Sequence, residues 1–299
     1  MTVMKQKMDS KNNTMYLAVL WMIGMVVSLT IMAICGRELG ATMSPLQILF
    51  FRALFGLLIM TPLVLYKFGR IPVTTQFKIH LVRNVFHYLG QYAWFYAIMF
   101  IPLATVFAID FTAPMWTVLL ATLLLGEKIT RWRILAIVLG IIGVLIVLRP
   151  GIETIHIASL AVLASSFCFA MTYTLTRKLA QGDSPLIILF YMSAIQLPIA
   201  ILPALNTWVT PEGQAWLWII AIGITSITAH YCLSRALAIA DASIVIPMDF
   251  MRLPIIVIVG YWLYQEGLDL FVLLGASIIF AGNFLNVRHE YRSNNAVDQ

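Results

Sequence analysis

The sequence predicts an all-α polytopic membrane protein in which ten transmembrane helices form two inverted five-helix repeats. Three observations predict it: a composition too apolar for a water-facing surface, ten apolar runs of about bilayer length, and an internal repeat at an offset of 139 residues. Of 299 residues, 61% are hydrophobic and 11% charged, whereas soluble domains run near half apolar and about a quarter charged. So few charges cannot coat a globule. A soluble enzyme, a disordered chain, a collagen-like fibre and a disulfide scaffold are disfavoured together.

The formal charge of +6 does not point to nucleic acid, because the basic residues are scattered and no zinc-finger or RNA-binding signature is present. Cys35, Cys168 and Cys232 lie inside apolar stretches and read as small hydrophobes, not as disulfides or metal ligands. Lys5, Lys7 and Lys11 precede the first apolar run, which has no small-residue cleavage site after it. That run is expected to be a first span, not a removable signal.

A crossing needs about 20 apolar residues. The runs fall near 15–35, 46–66, 79–100, 103–124, 133–148, 156–176, 185–205, 215–238, 243–264 and 268–287. With the amino terminus in the cytoplasm, the inner segments hold Lys5, Lys7, Lys11, Lys67, Arg70, Lys78, Lys128, Arg131, Arg133, Arg177, Lys178, Arg288 and Arg292. The outer segments hold only Arg37 and Arg149. This asymmetry places both termini in the cytoplasm. The expected organisation is a cytoplasmic tail over 1–14, a first repeat over 15–150, a second over 151–287 and a tail over 288–299.

Shifting the chain by 139 residues lays the third-to-fifth spans on the eighth-to-tenth. Tyr92 then meets Tyr231, Ala97 meets Ala236, Asp110-Phe111 meets Asp249-Phe250, Glu127 meets Glu266 and Gly143 meets Gly282. Five spans per half put the second half into the bilayer upside down. Inverted repeats are the usual build of secondary transporters, with the substrate near the midplane between the halves.

The matched residues carry a family resemblance. Phe100-Ile101-Pro102-Leu103-Ala104, Phe111-Thr112-Ala113-Pro114, Leu125-Gly126-Glu127-Lys128-Ile129 and Gly140-Ile141-Ile142-Gly143-Val144 running into Leu148-Arg149-Pro150-Gly151 resemble the EamA family. So do Arg235-Ala236-Leu237, Ala242-Ser243, Ile246-Pro247, Arg252-Leu253 and Glu266 in the second half. EamA proteins belong to the drug/metabolite transporter superfamily of ten-helix carriers. The resemblance covers about residues 15–290 and implies a small-metabolite carrier in a bacterial cytoplasmic membrane. The family's cargoes include amino acids, S-adenosylmethionine, nucleotide-like compounds, metallophores and drugs. At Asp110 many relatives carry a small or hydroxyl residue, so a second buried carboxylate here argues for a cargo with positive charge or for a proton site.

Charges near the bilayer centre cost about 2.5–3.5 kcal/mol each on insertion scales. Six sit within spans: Arg52, Arg83, Asp110, Arg235, Asp249 and Arg252. Arg83 and Arg235 lie within about a turn of the cytoplasmic end and are expected to snorkel to the headgroups. Arg52 and Asp110 are expected in the outer third, Asp249 and Arg252 in the inner third to middle, giving a carboxylate and a guanidinium on either side of the midplane. These groups are candidates for cargo contacts or gate pairs; static salt bridges between helices are the bland reading. The third span adds a polar stripe of Arg83, His87 and Gln91, continued by Trp94, and the eighth carries Ser226, His230 and Ser234 at the same spacing. His87 and His230 are candidates for cargo binding or a proton relay. Trp94, Tyr96, Trp116 and Tyr191 could wall a cavity, while Trp216, Trp218 and Tyr261 read as interfacial anchors. Pro114, Pro247 and Pro254 are expected to interrupt the fourth and ninth helices beside the charges.

A membrane enzyme has little support: the chain carries no Walker A loop, no His-Glu-x-x-His helix and no nucleophile elbow. A channel needs a continuous polar lining or a ring of groups. The sequence therefore predicts a gradient- or exchange-driven carrier for a zwitterionic or cationic metabolite, an amino acid or S-adenosylmethionine-like compound. Arg52 or Arg252 would hold its carboxylate and Asp110 or Asp249 its ammonium or sulfonium. Export of drugs or other metabolites is the alternative. The partners expected are the cargo, the lipid bilayer, and a proton or counter-substrate; no cofactor, metal or nucleic acid is expected.

Overall fold

A computed structural model describes residues 2–125, 130–152, 154–239 and 248–297. Eleven helices are described: α1 (Thr2–Gly40), α2 (Pro45–Phe68), α3 (Phe77–Phe100), α4 (Leu103–Asp110), α5 (Ala113–Leu125), α6 (Arg131–Leu148), α7 (Ile157–Leu179), α8 (Pro185–Asn206), α9 (Ala215–Ile239), α10 (Arg252–Tyr264) and α11 (Leu270–Val297). Local signals set several of their ends. Ser44-Pro45 and Ser184-Pro185 start α2 and α8, with proline at the first position, where its missing N–H costs nothing. Ser44 Oγ accepts from the Gln47 N–H, and Thr130 Oγ1 caps α6 by accepting from Arg133. Gly69, at φ 68°, ends α2 in the left-handed conformation that glycine adopts without strain.

Eight helices among the described residues are long and apolar enough to cross a membrane, with α4 and α5 counted as one. Helix α3 spans 24 residues, yet His80, Arg83, Asn84, His87 and Gln91 keep it too polar for that set. The span expected at 243–264 is described only from Met248 onward; there α10 is a shorter apolar helix. The motif residues Gly126–Ile129, Ala242, Ser243, Ile246 and Pro247 lie outside the described residues. Leu58, Leu123, Leu202 and Trp262 are all more than half exposed. Such an apolar exterior suits lipid, not water.

Packing exchanges between the two halves. Helix α1 packs on α9 and α3 on α7, α2 on α8, and α6 on α11. Each pair maps onto itself or onto another pair when the halves are swapped. The match reaches individual residues. A Cβ at Gly143 would strike Gly275, and one at Gly282 would strike Ala136; these two contacts interconvert under the 139-residue shift. Phe111 and its repeat mate Phe250 stack with centroids 4.2 Å apart. Between membrane helices no water is released on association, so small residues that allow close backbone approach supply much of the contact.

The fourth span is broken. Helix α4 runs only eight residues before the turn at Phe111-Thr112. Backbone groups freed at such a break must find partners inside protein. Ser166 Oγ of α7 donates to the Ile109 carbonyl at 3.2 Å, and Asn283 Nδ2 of α11 donates to the Phe111 carbonyl at 3.1 Å. Pro114 stands in the first turn of α5 and Pro254 in that of α10, so these prolines start helices after a break instead of kinking continuous ones. The ninth span repeats the pattern, with a turn at Phe250-Met251 before α10.

Candidate functional site

The interior holds two polar centres. The first joins α2, α3, α8 and α9. Arg52 of α2 is 2% exposed. Its Nη1 donates to Gln91 Oε1 at 2.8 Å and to Gln196 Oε1 at 3.1 Å, while its Nε and Nη2 have no hydrogen-bond partner. Both glutamines also reach His87: Gln91 Nε2 lies 3.2 Å from His87 Nε2 and Gln196 Nε2 lies 2.8 Å from His87 Nδ1. The His230 ring stands edge-on to His87 at 5.5 Å. Arg52 makes no ion pair among the described residues. A guanidinium hydrogen-bonded to amides alone, with donors to spare, has the chemistry to accept an anion.

The second centre lies where the two broken spans meet. Arg252 Nη2 is 3.3 Å from Asp249 Oδ2 and 3.8 Å from Asp110 Oδ2. Its guanidinium carbon sits over the Phe107 ring at 4.7 Å and the Phe111 ring at 5.3 Å. Asp110 Oδ1 and Asp249 Oδ1 have no hydrogen-bond partner. Two ionised carboxylates around one guanidinium leave one negative charge uncompensated, which has the chemistry to attract a cation.

This grouping corrects the expected layering. Asp110 does not pair with Arg52; it joins Asp249 and Arg252. The reason is the break in each span. Eight residues of α4 carry Asp110 about 12 Å into a core about 30 Å thick. Its repeat mate Asp249 lies beside the corresponding turn at Phe250-Met251, and Arg252 is within reach of both acids. Arg83 is a second correction: it is buried, donating from Nη1 to Asn84 Oδ1 at 2.8 Å and from Nε to Thr176 Oγ1 at 3.1 Å. Arg235 is exposed, with its guanidinium over the Trp21 ring at 5.7 Å.

The aromatic candidates divide. Trp94 is buried edge-on against Phe95 and Phe107, supporting the second centre from behind. Tyr191 lies away from both centres, donating to the Pro72 carbonyl at 3.0 Å with its ring 4.7 Å from His80. It belongs to a latch in which Asp183 accepts from Thr74 at 2.6 Å and pairs with His80 at 2.9 Å. Trp116 packs on Phe167 and Tyr96 on Phe100. Ser226 and Ser234 spend their hydroxyls on the α9 backbone, so of that stripe His230 alone reaches α3.

Gln196 was not foreseen. A lone glutamine within the apolar run Ile195-Gln196-Leu197 was the available signal, since an amide in such a run must find a polar partner.

At the end of the bundle bearing Arg37, the contacts form another latch. Arg37 Nη2 donates to Glu266 Oε1 at 2.7 Å and to the Ile101 carbonyl at 2.8 Å, and Glu266 Oε2 accepts from the Leu103 N–H at 2.9 Å. Arg149 pairs with Asp269 beside it. Gln47 exchanges two hydrogen bonds with the Val209 backbone.

The EamA-like transporter family model matches the chain twice, over residues 16–149 and 156–288. The ends of these matches, 149 and 288, lie 139 residues apart. The chain is 25% identical to an S-adenosylmethionine uptake transporter of Rickettsia prowazekii over 91% of this chain and 93% of that one. It is 25% identical to the transporter of the same description from Rickettsia bellii, over 96% and 98%. A riboflavin transporter of Vibrio cholerae is 32% identical over 69% of this chain and 70% of its own. One solved crystal structure superposes with a TM-score of 0.66, covering 92% of this chain and 98% of that one at 15% identity; it shares the fold.

Proposed function

The chain belongs to the EamA-like transporter family, and from that premise we propose that it is a secondary carrier moving a zwitterionic or cationic metabolite by alternating access. The observation that carries this reading is the charge separation in its interior. A guanidinium at Arg52 has no acid beside it among the described residues, and a second centre holds two carboxylates for one guanidinium. A cargo with a carboxylate at one end and an ammonium or sulfonium at the other matches both. In this reading Arg52, assisted by Gln91, Gln196, His87 and His230, takes the carboxylate. Asp110 and Asp249 take the cation, and Arg252 holds the two acids in place. An amino acid or an S-adenosylmethionine-like compound has this chemistry, in keeping with the relatives described as S-adenosylmethionine uptake transporters.

The carrier has ten crossings as two inverted repeats, over 15–150 and 151–287, with tails 1–14 and 288–299 in the cytoplasm and the bundle in the inner membrane. Pairing between loops supports that topology. Arg37 with Glu266, Arg149 with Asp269 and Gln47 with Val209 join segments assigned to the outside, and Thr74 and His80 with Asp183 join inner ones. A gradient or exchange supplies the energy, with His87 and His230 as the groups for a proton. A second reading, a neutral heteroaromatic cargo, draws on the riboflavin transporter at 32% identity and on the amide pair Gln91 and Gln196.

The test is uptake into proteoliposomes of labelled amino acids, S-adenosylmethionine and riboflavin, with and without a pH gradient. Saturable uptake of S-adenosylmethionine or an amino acid, lost in both Arg52→Ala and Asp249→Asn, is the expected result. Saturable uptake of riboflavin that survives Asp249→Asn selects the second reading. Absence of saturable flux for the whole panel rejects both.

A further inference from the structure

Helix α7 is exposed on two opposite faces, and only one of them suits lipid. Leu160, Ala164 and Phe167 form an apolar exposed stripe at helical spacing. Tyr173 is also exposed, at 47%, but it lies nine residues from Ala164, half a turn around at 100° per residue. Its own face is the inward one. Ser166, seven residues earlier, bonds the Ile109 carbonyl; Phe169, four earlier, packs on the His87 ring at 5.9 Å; Thr176, three later, accepts from Arg83. Ala170 and Ser166 on that face are fully buried. A side chain that points into the bundle and is still half exposed borders an internal space. Along α7, Tyr173 stands between Ser166, which bonds the carbonyl next to Asp110, and Thr176, which accepts from Arg83. It therefore lies between the acidic centre and the Arg177–Lys178 end of α7.

We propose that Tyr173 is a cargo-contacting residue, lining a water-filled vestibule that leads from the Arg177–Lys178 end of α7 to the Asp110–Arg252–Asp249 centre. This rests on the carrier reading above. A cation on its way to those carboxylates would pass the ring, and an aromatic face beside a cation adds attraction without adding charge. The opposite end carries the Arg37–Glu266 latch.

Two readouts decide it. In oriented proteoliposomes, Tyr173→Cys is treated with a charged, membrane-impermeant methanethiosulfonate from each side, against the background of Cys35, Cys168 and Cys232. The expected result is labelling from the Arg177–Lys178 side, slowed by S-adenosylmethionine. In uptake assays Tyr173→Ala is expected to raise KM about 5- to 30-fold, while Tyr173→Phe, which keeps the ring, stays near wild type. No labelling from either side removes the vestibule. Labelling without protection, together with an unchanged KM in Tyr173→Ala, removes the cargo contact. If wild-type protein shows no saturable flux, the carrier reading fails on that evidence, while side-specific labelling still decides the vestibule.

Discussion

Arg52 spends one of its nitrogens on two glutamine carbonyls and keeps two without partners, in a position 2% exposed. Hydrogen bonds to a charged group contribute about 1.5–3 kcal/mol. Arg52→Ala should therefore raise the KM for a carboxylate-bearing cargo roughly 10- to 100-fold. Arg52→Lys keeps the charge but loses the further planar N–H donors that face the cargo, and should recover only part of the loss. Initial rates across a concentration series distinguish the two. Asp249→Asn removes the surplus negative charge at the second centre. It should cut uptake of a cationic cargo at least about tenfold while leaving a neutral one unchanged. The Asp249–Arg252 pair was legible at a spacing of three residues, but Arg52's partners were not, because Gln196 comes from a helix 144 residues away in sequence.

The broken fourth and ninth spans and the close pair α6–α11 act at the scale of elements. At Gly143 a Cβ would meet the Gly275 carbonyl, a backbone atom that cannot swing aside. Gly143→Leu should lower the thermal midpoint in detergent through an overpacking cost of about 1–3 kcal/mol. Gly267→Ala, where a Cβ would meet nothing within 4 Å, should leave it unchanged. The Arg37–Glu266 pair ties the end of α1 to the α3–α4 turn and the start of the α10–α11 connection. With side chains 20% and 12% exposed, it is screened only in part. Glu266→Gln should speed thiol labelling of Ala104→Cys from that end by roughly five- to thirtyfold, the equivalent of about 1–2 kcal/mol. An unchanged rate would show that other contacts close this end. The repeat signalled the Asp110/Asp249 equivalence in the sequence, but not that the two breaks bring these acids to one arginine.

The whole molecule carries two polar centres inside a repeat, and its orientation in the membrane is open to direct measurement. Lys178→Cys and Glu212→Cys are both exposed and lie on opposite sides of the proposed bilayer. An impermeant reagent on intact cells should label Glu212→Cys at once and Lys178→Cys only after permeabilisation. Reversed labelling would turn the carrier over. Transport direction would then have to be reassigned together with the side on which Tyr173 opens.

Composition, apolar run length and the 139-residue offset determined by themselves that this chain is helical, membrane-embedded and internally repeated. These are properties of local hydrophobicity and of order along the chain. The placement of Arg52, Asp110, Asp249 and Arg252 within apolar runs was legible in the same way. Only the tertiary structure decided which charges share a centre, that Arg83 is buried instead of reaching the headgroups, that Tyr191 belongs to a latch, and that Tyr173 faces inward. Hydropathy reports how much of a helix must avoid water. It does not report how deep a broken helix carries a side chain, or which of several partners on other helices lies within hydrogen-bond reach. Those depend on where breaks and close packing set each helix against its neighbours.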